Sequence, residues 1–128
     1  MQSVSSNAVA NLLNTDKNDT TSTSITSQVT KYLGVDEVIA YRKNNMVYMY
    51  VRGVYTGSQT TSTQTFLTGI PVKYRPTGAS QSVALLGYNA TQYVSVGRGV
   101  IYNDGRLELG ETGWVRGTNI RAGFVYMI

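Results

Sequence analysis

The hydrophobic pattern along the chain changes period once, near Asp36. Before it, the apolar residues Val4, Ala8, Val9, Leu12 and Leu13 recur at helical spacing, with Ser3, Ser5 or Ser6 in place as an N-cap. About ten residues cannot hold a helix alone in water, so the seam is expected to be buried against the rest of the chain or against copies of itself. The second arrangement makes it an oligomer stalk built on Val4, Ala8, Val9 and Leu12. Residues 15–30 are mostly Ser, Thr, Asp and Asn, with only Ile25 and Val29 apolar. They read as a spacer, a flexible linker or an ordered piece of fibre, with room for a helical turn ending at Gly34.

After Asp36 the period becomes two, in short runs punctuated by turn residues. Residues 37–43 and 46–55 flank Asn44-Asn45, a pair that tolerates positive φ and predicts a two-residue hairpin. In the second run Val47, Met49 and Val51 share one face while Met46, Tyr48 and Tyr50 share the other. Both faces are apolar or aromatic, so a second sheet or a neighbouring subunit is expected to cover the outer one. Further strands are predicted at 60–67, 82–88, 92–96, 99–102, 106–109 and 120–127, with Gly97-Arg98-Gly99 and the glycines of 110–117 read as turns or bulges. The last run alternates Ile120, Ala122, Phe124 and Tyr126 with polar or small residues, so the chain ends inside a sheet. The pattern predicts an all-β, antiparallel fold over 36–128, a sandwich or a barrel, with a short α-helical stalk and spacer over 1–35.

Composition narrows the chemistry. Charged residues are only 14% of the chain, and there are 10 Tyr, no His and no Cys, a profile of strands and turns that excludes disulfides and thiolate metal sites. The formal net charge is +4, but Arg52, Lys73, Arg75, Arg98, Arg106, Arg116 and Arg121 stand singly, without the basic run of a nucleic-acid binder. No stretch approaches the roughly 20 apolar residues of a membrane span, so no membrane insertion is expected. The start, Met1-Gln2-Ser3, lacks the basic and apolar regions of a signal peptide, so the chain is expected either not to be exported by that route or to belong to something longer.

Catalysis is not expected. Most hydrolytic machinery needs a His, a Cys or a placed pair of carboxylates, and only Glu108 and Glu111 remain as a pair that could serve a glycosidase once the spacer acids and the turn residue Asp104 are set aside, two solvated carboxylates near a turn being the alternative. No Asp-rich loop offers a calcium cage and no glycine-rich loop precedes a helix, so neither a metal nor a cofactor is expected. Recognition is better provided for: a glycan surface needs an exposed ring beside amide and guanidinium groups. Trp114 lies in a Gly-rich stretch with Arg116 and Asn119, while Tyr88 and Tyr93 flank the polar turn that begins at Asn89. With Arg98, these are the candidate ligand-binding residues, although Trp114 equally suits a core or interface anchor.

Two segments, Ile70-Pro71-Val72-Lys73-Tyr74-Arg75-Pro76 and Gly99-Val100-Ile101-Tyr102-Asn103-Asp104-Gly105-Arg106-Leu107-Glu108-Leu109, resemble the distal head domains of phage tail-fibre and baseplate receptor-binding proteins. The closing Gly123-Phe124-Val125-Tyr126 and the leading Val4-Ser5-Ser6-Asn7-Ala8-Val9 are similar to the same family. The resemblance implies a homotrimer of antiparallel, jelly-roll-like β-sandwich heads on a fibre, acting from the virion outside the cell, adhering without catalysis to a bacterial surface glycan or protein receptor. Within the Tyr-Arg-Pro segment the two prolines bracket a strand exit, so Tyr74 and Arg75 are expected to pin a loop, with direct receptor contact by either as the alternative. Two other readings stand beside this one: a purely structural trimerisation cap of a fibre, and a secreted bacterial lectin-like sandwich.

Overall fold

The computed structural model describes residue 19 and residues 21–58, 62–89 and 93–128, Tyr93 by its backbone alone. The expected helix of residues 4–13, with its stalk residues Val4, Ala8, Val9 and Leu12, lies outside the described residues.

Among those residues the chain forms nine strands: β1 (Thr23–Ser24), β2 (Thr30–Lys31), β3 (Val35–Lys43), β4 (Met46–Val54), β5 (Gln64–Thr68), β6 (Gln81–Asn89), β7 (Tyr93–Ile101), β8 (Leu107–Thr112) and β9 (Asn119–Met127). Every pairing is antiparallel, in the single order β1-β3-β4-β9-β6-β7-β8-β5-β2. There is no α-helix among the described residues, only the short 3-10 turn Val72–Tyr74 after Pro71. The β3–β4 hairpin turns on two residues as its sequence predicts, with Lys43 opposite Met46 and Asn44 at a φ of 53°.

The sheet curls, and chain connectivity requires it. Laid flat, nine strands about 4.8 Å apart would hold β1 and β2 about 38 Å from each other. Yet only six residues lead from Ser24 to Thr30, which span at most about 22 Å, and a turn shortens them further as Gln28 and Val29 donate to the Ile25 carbonyl at 2.9 and 3.3 Å. The two ends of the strand order are thus drawn together and one face turns inward. Alternation decides what fills it: Val47, Met49 and Val51 of β4, Ile120, Ala122 and Phe124 of β9, Val83 and Leu85 of β6, and Leu107 and Leu109 of β8 all belong to one core. Burying each large aliphatic or aromatic side chain contributes about 1.5–3 kcal/mol.

Four expectations change at this level. The segment read as a spacer is built into the head over residues 21–30, because Ile25 and Val29 reach the core and β1 and β2 pair with β3 and β5. No helical turn ends at Gly34; Leu33 and Gly34 both take positive φ in a turn closed by Val35 N–H on the Tyr32 carbonyl. A boundary at Asp36 therefore cuts through one packing unit. Gly97-Arg98-Gly99 does not separate two strands either: all three pair with β6 inside a continuous β7. Its glycines answer packing, since a Cβ at Gly99 would sit 2.9 Å from both Leu85 and Val83, and the bulge they were expected to mark appears only against β8.

The Tyr-Arg-Pro segment pins its loop, as expected. Arg75 Nε donates to the Ile70 carbonyl at 2.5 Å, and Ile70 N–H donates to Gly105 O at 3.1 Å, joining this segment to the Asn-Asp-Gly turn. The buried Tyr74 donates its hydroxyl to Asp19 Oδ2 at 2.6 Å, Lys73 Nζ meets Asp19 Oδ1 at 2.6 Å, and Tyr126 donates to the Tyr74 carbonyl at 2.6 Å. Burial pushes the Tyr74 hydroxyl up to about 12, helped by the Asp19 carboxylate that it bonds. Burial acts to raise Asp19 as well, but its bonds from Lys73 and Tyr74 outweigh this and hold its carboxyl below the ordinary value.

Candidate functional site

Four chain segments meet at one end of the sheet: the end of β4 and residues 55–58, the end of β6, the start of β7, and residues 113–119. Register puts Tyr88 opposite both Asn119 and Val94, with Asn119 in turn opposite Val54. Directly paired strand residues have Cα atoms about 4.5–5.5 Å apart, so these side chains are neighbours. Two clusters that are some 25 positions apart in sequence are thereby brought together.

What holds them is a buried threonine. Thr118 is fully buried; its Oγ1 accepts from Val115 N–H at 3.2 Å and from Asn89 Nδ2 at 3.4 Å. Its carbonyl accepts Tyr55 N–H at 2.8 Å, and the Tyr55 carbonyl accepts Gly117 N–H at 2.8 Å. The Tyr55 hydroxyl then closes residues 55–58 by donating to the Ser58 carbonyl at 2.8 Å. Neither Thr118 nor Tyr55 is visible as a site residue in the sequence, because their partners lie across the sheet and no local pattern marks them.

Trp114 is not a sugar platform. It is 0% exposed, packed edge-on against Tyr55 with ring centroids 5.5 Å apart and tilted against Phe66 at 6.3 Å. Its indole N–H donates to the Ser95 carbonyl at 3.0 Å, so the ring is satisfied where it lies. It is the post on which the 113–119 loop stands, the anchor role weighed for it from the sequence.

The other candidates divide. Tyr88 is 47% exposed, Arg116 is exposed in the turn between Val115 and Thr118, and Asn89 and Asn119 are half-buried beside them. Tyr93 pairs with Asn89 through its backbone, and its side chain lies outside the described residues. Arg98 is separate: it pairs with Ala84, four residues along β7 from Val94, or about 13 Å down the sheet. The sequence groups it with the others only because it is an exposed arginine near a turn signal that proves to be strand.

Among the described residues, the end of the sheet thus offers one exposed ring, two amides and a guanidinium on a packed base, the parts for stacking on a ligand and bonding its hydroxyls. Of the acid pair left over from the sequence, Glu108 is engaged by Arg106 at 2.6 Å and Glu111 is exposed. Among the described residues no three His, Cys, Asp or Glu side chains gather as a metal site would require. No protein-family model matches the chain, and no curated protein matches it.

Proposed function

We propose that the chain is a non-enzymatic adhesion head at the tip of a phage or prophage tail fibre, binding a saccharide or protein of the bacterial surface as a homotrimer. In this reading the curled sheet is a jelly-roll-like sandwich carried on a helical stalk formed by residues 4–13. The receptor is held at the loop end by Tyr88, Asn89, Arg116 and Asn119. The observation that carries it is the convergence of the two polar segments on the exposed Tyr88, anchored beneath by Trp114 and Thr118. Tyrosine supplies contact area at low entropy cost, and rigid support spares the cost of ordering on binding.

The test is adsorption to bacterial cells together with glycan-array binding, for the intact chain and for Tyr88→Ala, Arg116→Ala and Asn119→Ala. A loss of about tenfold or more in at least one variant is expected, since a buried stacking or bidentate contact is worth about 1.4 kcal/mol or more. Undiminished binding by all three moves the site elsewhere. A purely structural cap is the second reading, favoured by the broad apolar outer face of β4, β9, β6 and β7; a chain that adsorbs to no cell and no glycan yet assembles stably would establish it.

A further inference from the structure

The turn between β2 and β3 holds a residue that its geometry disfavours. It is closed by Val35 N–H on the Tyr32 carbonyl at 3.2 Å, with Leu33 at a φ of 57° and Gly34 at 90°. Two successive central residues at positive φ belong to a turn type that takes Asn, Asp or Gly first and Gly second. A bulky aliphatic residue is strained in that first place. Asn44, the other non-glycine residue at positive φ among the described residues, is of a type that tolerates it. Strain of this kind persists only where the surrounding structure imposes it, so the neighbours of Leu33 say what it serves.

Those neighbours lead to the candidate site. Val54 N–H donates to the Gly34 carbonyl and Thr56 N–H to the Leu33 carbonyl, each at 3.1 Å, so both central residues of the turn hold the chain as it leaves β4. The approach is close: a Cβ at Gly34 would lie 1.8 Å from the Val54 carbonyl oxygen, and one at Gly53 2.1 Å from the Gly34 oxygen. Tyr55, between the two bonded amides, turns its own backbone groups to the other side. Its N–H donates to the Thr118 carbonyl and its carbonyl accepts Gly117 N–H, both at 2.8 Å. Residues 54–56 are thus gripped by the turn on one side and grip the 115–119 segment on the other.

We propose that the Leu33–Gly34 turn is the positioning element of the candidate binding site: it fixes the path of residues 54–56 and, through Tyr55, sets Arg116 and Asn119 beside Tyr88. The proposal rests on the site assigned above and deepens it by naming what sets its shape. Leu33 is a positioning residue here and acts through its backbone. Its side chain also packs against the core, but the bond to Thr56 uses a carbonyl that any residue supplies. What matters is the left-handed conformation. Returning residue 33 to negative φ re-aims the chain from Leu33 onward, so Val54 and Thr56 lose their acceptors together and the hold on Gly117 and Thr118 loosens with them.

Substitutions at residue 33 of the intact chain separate positioning from packing, because the two roles rank them in opposite order. Leu33→Val keeps an apolar side chain but its β-branch resists positive φ, whereas Leu33→Asn and Leu33→Gly give up the packing and accept that conformation. Amide hydrogen exchange is measured at Tyr55 and Gly117, with Leu85 in β6 as the reference, beside adsorption to bacterial cells. In Leu33→Val the two amides are expected to exchange about tenfold faster relative to Leu85, and adsorption to fall by a similar factor. Leu33→Asn and Leu33→Gly are expected to keep the parent ratio and to adsorb. Should Leu33→Val fail to fold, Leu33→Ala and Leu33→Gly make the same comparison, since both lose the side chain and only alanine resists the turn; faster relative exchange in the alanine form is expected. The reverse order, or exchange quickened equally at Leu85, overturns the proposal and leaves Leu33 a core residue. Loosened amides with adsorption at the parent level overturn it too. A parent that adsorbs to no cell and binds no glycan overturns the adhesion reading instead, and the exchange order alone then upholds or overturns the turn's hold on the 115–119 segment.

Discussion

At the scale of single residues, the Asp19 cluster ties a side chain from ahead of the first strand to the loop after β5. Its carboxylate takes bonds from Lys73 and Tyr74 with only 9% of the side chain exposed. A carboxyl whose folded pKa lies below its unfolded value stabilises the fold above that unfolded value, near 3.8, and the contribution is lost as pH falls through the folded one. Asp19→Asn is therefore expected to cost about 1–2 kcal/mol at pH 7, allowing for the partly exposed Lys73, and the difference from the parent should vanish toward pH 2 in urea titrations. The Tyr74 hydroxyl has the opposite sign: its contribution is complete below pH 10 and lost as pH rises toward about 12, so Tyr74→Phe should flatten the alkaline limb of the same titration. Trp114 gives a third residue-scale prediction. Replacing it with alanine should cost about 3–5 kcal/mol, and in the parent its fluorescence should resist acrylamide and stay unchanged when a saccharide ligand is added, because the ring is buried against Tyr55 and Phe66.

At the scale of elements, the ends of the described chain are its least dispensable parts. β9 lies in the middle of the strand order, registered with β4 over its whole length and with β6 at Gly87 and Tyr88. At the far end of that seam the Gln81 amide accepts Met127 N–H at 2.9 Å and donates to its carbonyl. A chain ending at Gly123 loses Phe124 and Tyr126 from the core and is expected to be unfolded by far-UV circular dichroism. A chain starting at Asp36 loses Ile25, Val29 and the link between β1 and β2, exposing the edges of β3 and β5 to other chains. It should be less stable than one starting at Asp19 by at least about 3 kcal/mol, on the burial of two aliphatic side chains alone, and chemical denaturation of the two forms measures this. The sequence does not reveal that dependence, since two apolar residues among many Ser and Thr look like a linker until their partners in β3 and β5 are known.

At the scale of the whole molecule, a head with weak sites gains from being repeated: joining sites in one assembly raises avidity by about 10²–10⁴ without new contacts. Under the proposed adhesion function, a variant that makes the chain monomeric should lose cell adsorption by that order while keeping its affinity for a soluble monovalent ligand, as adsorption assays beside calorimetry would measure. What the sequence determined by itself is the local physics: strand class, the Asn44-Asn45 hairpin, the alternation of β4 and β9, and the loop-pinning role of Tyr74 and Arg75. Each depends on neighbours in the chain or on a period of two. What only the tertiary structure decided depends on residues far apart in sequence. The fate of Trp114 hung on Tyr55 and Phe66, that of Gly97 and Gly99 on side chains of β6 and β8, and the meeting of Tyr88 with Asn119 on the register between β6 and β9. Local pattern records how each strand presents its two faces, and long-range pairing decides what each face meets.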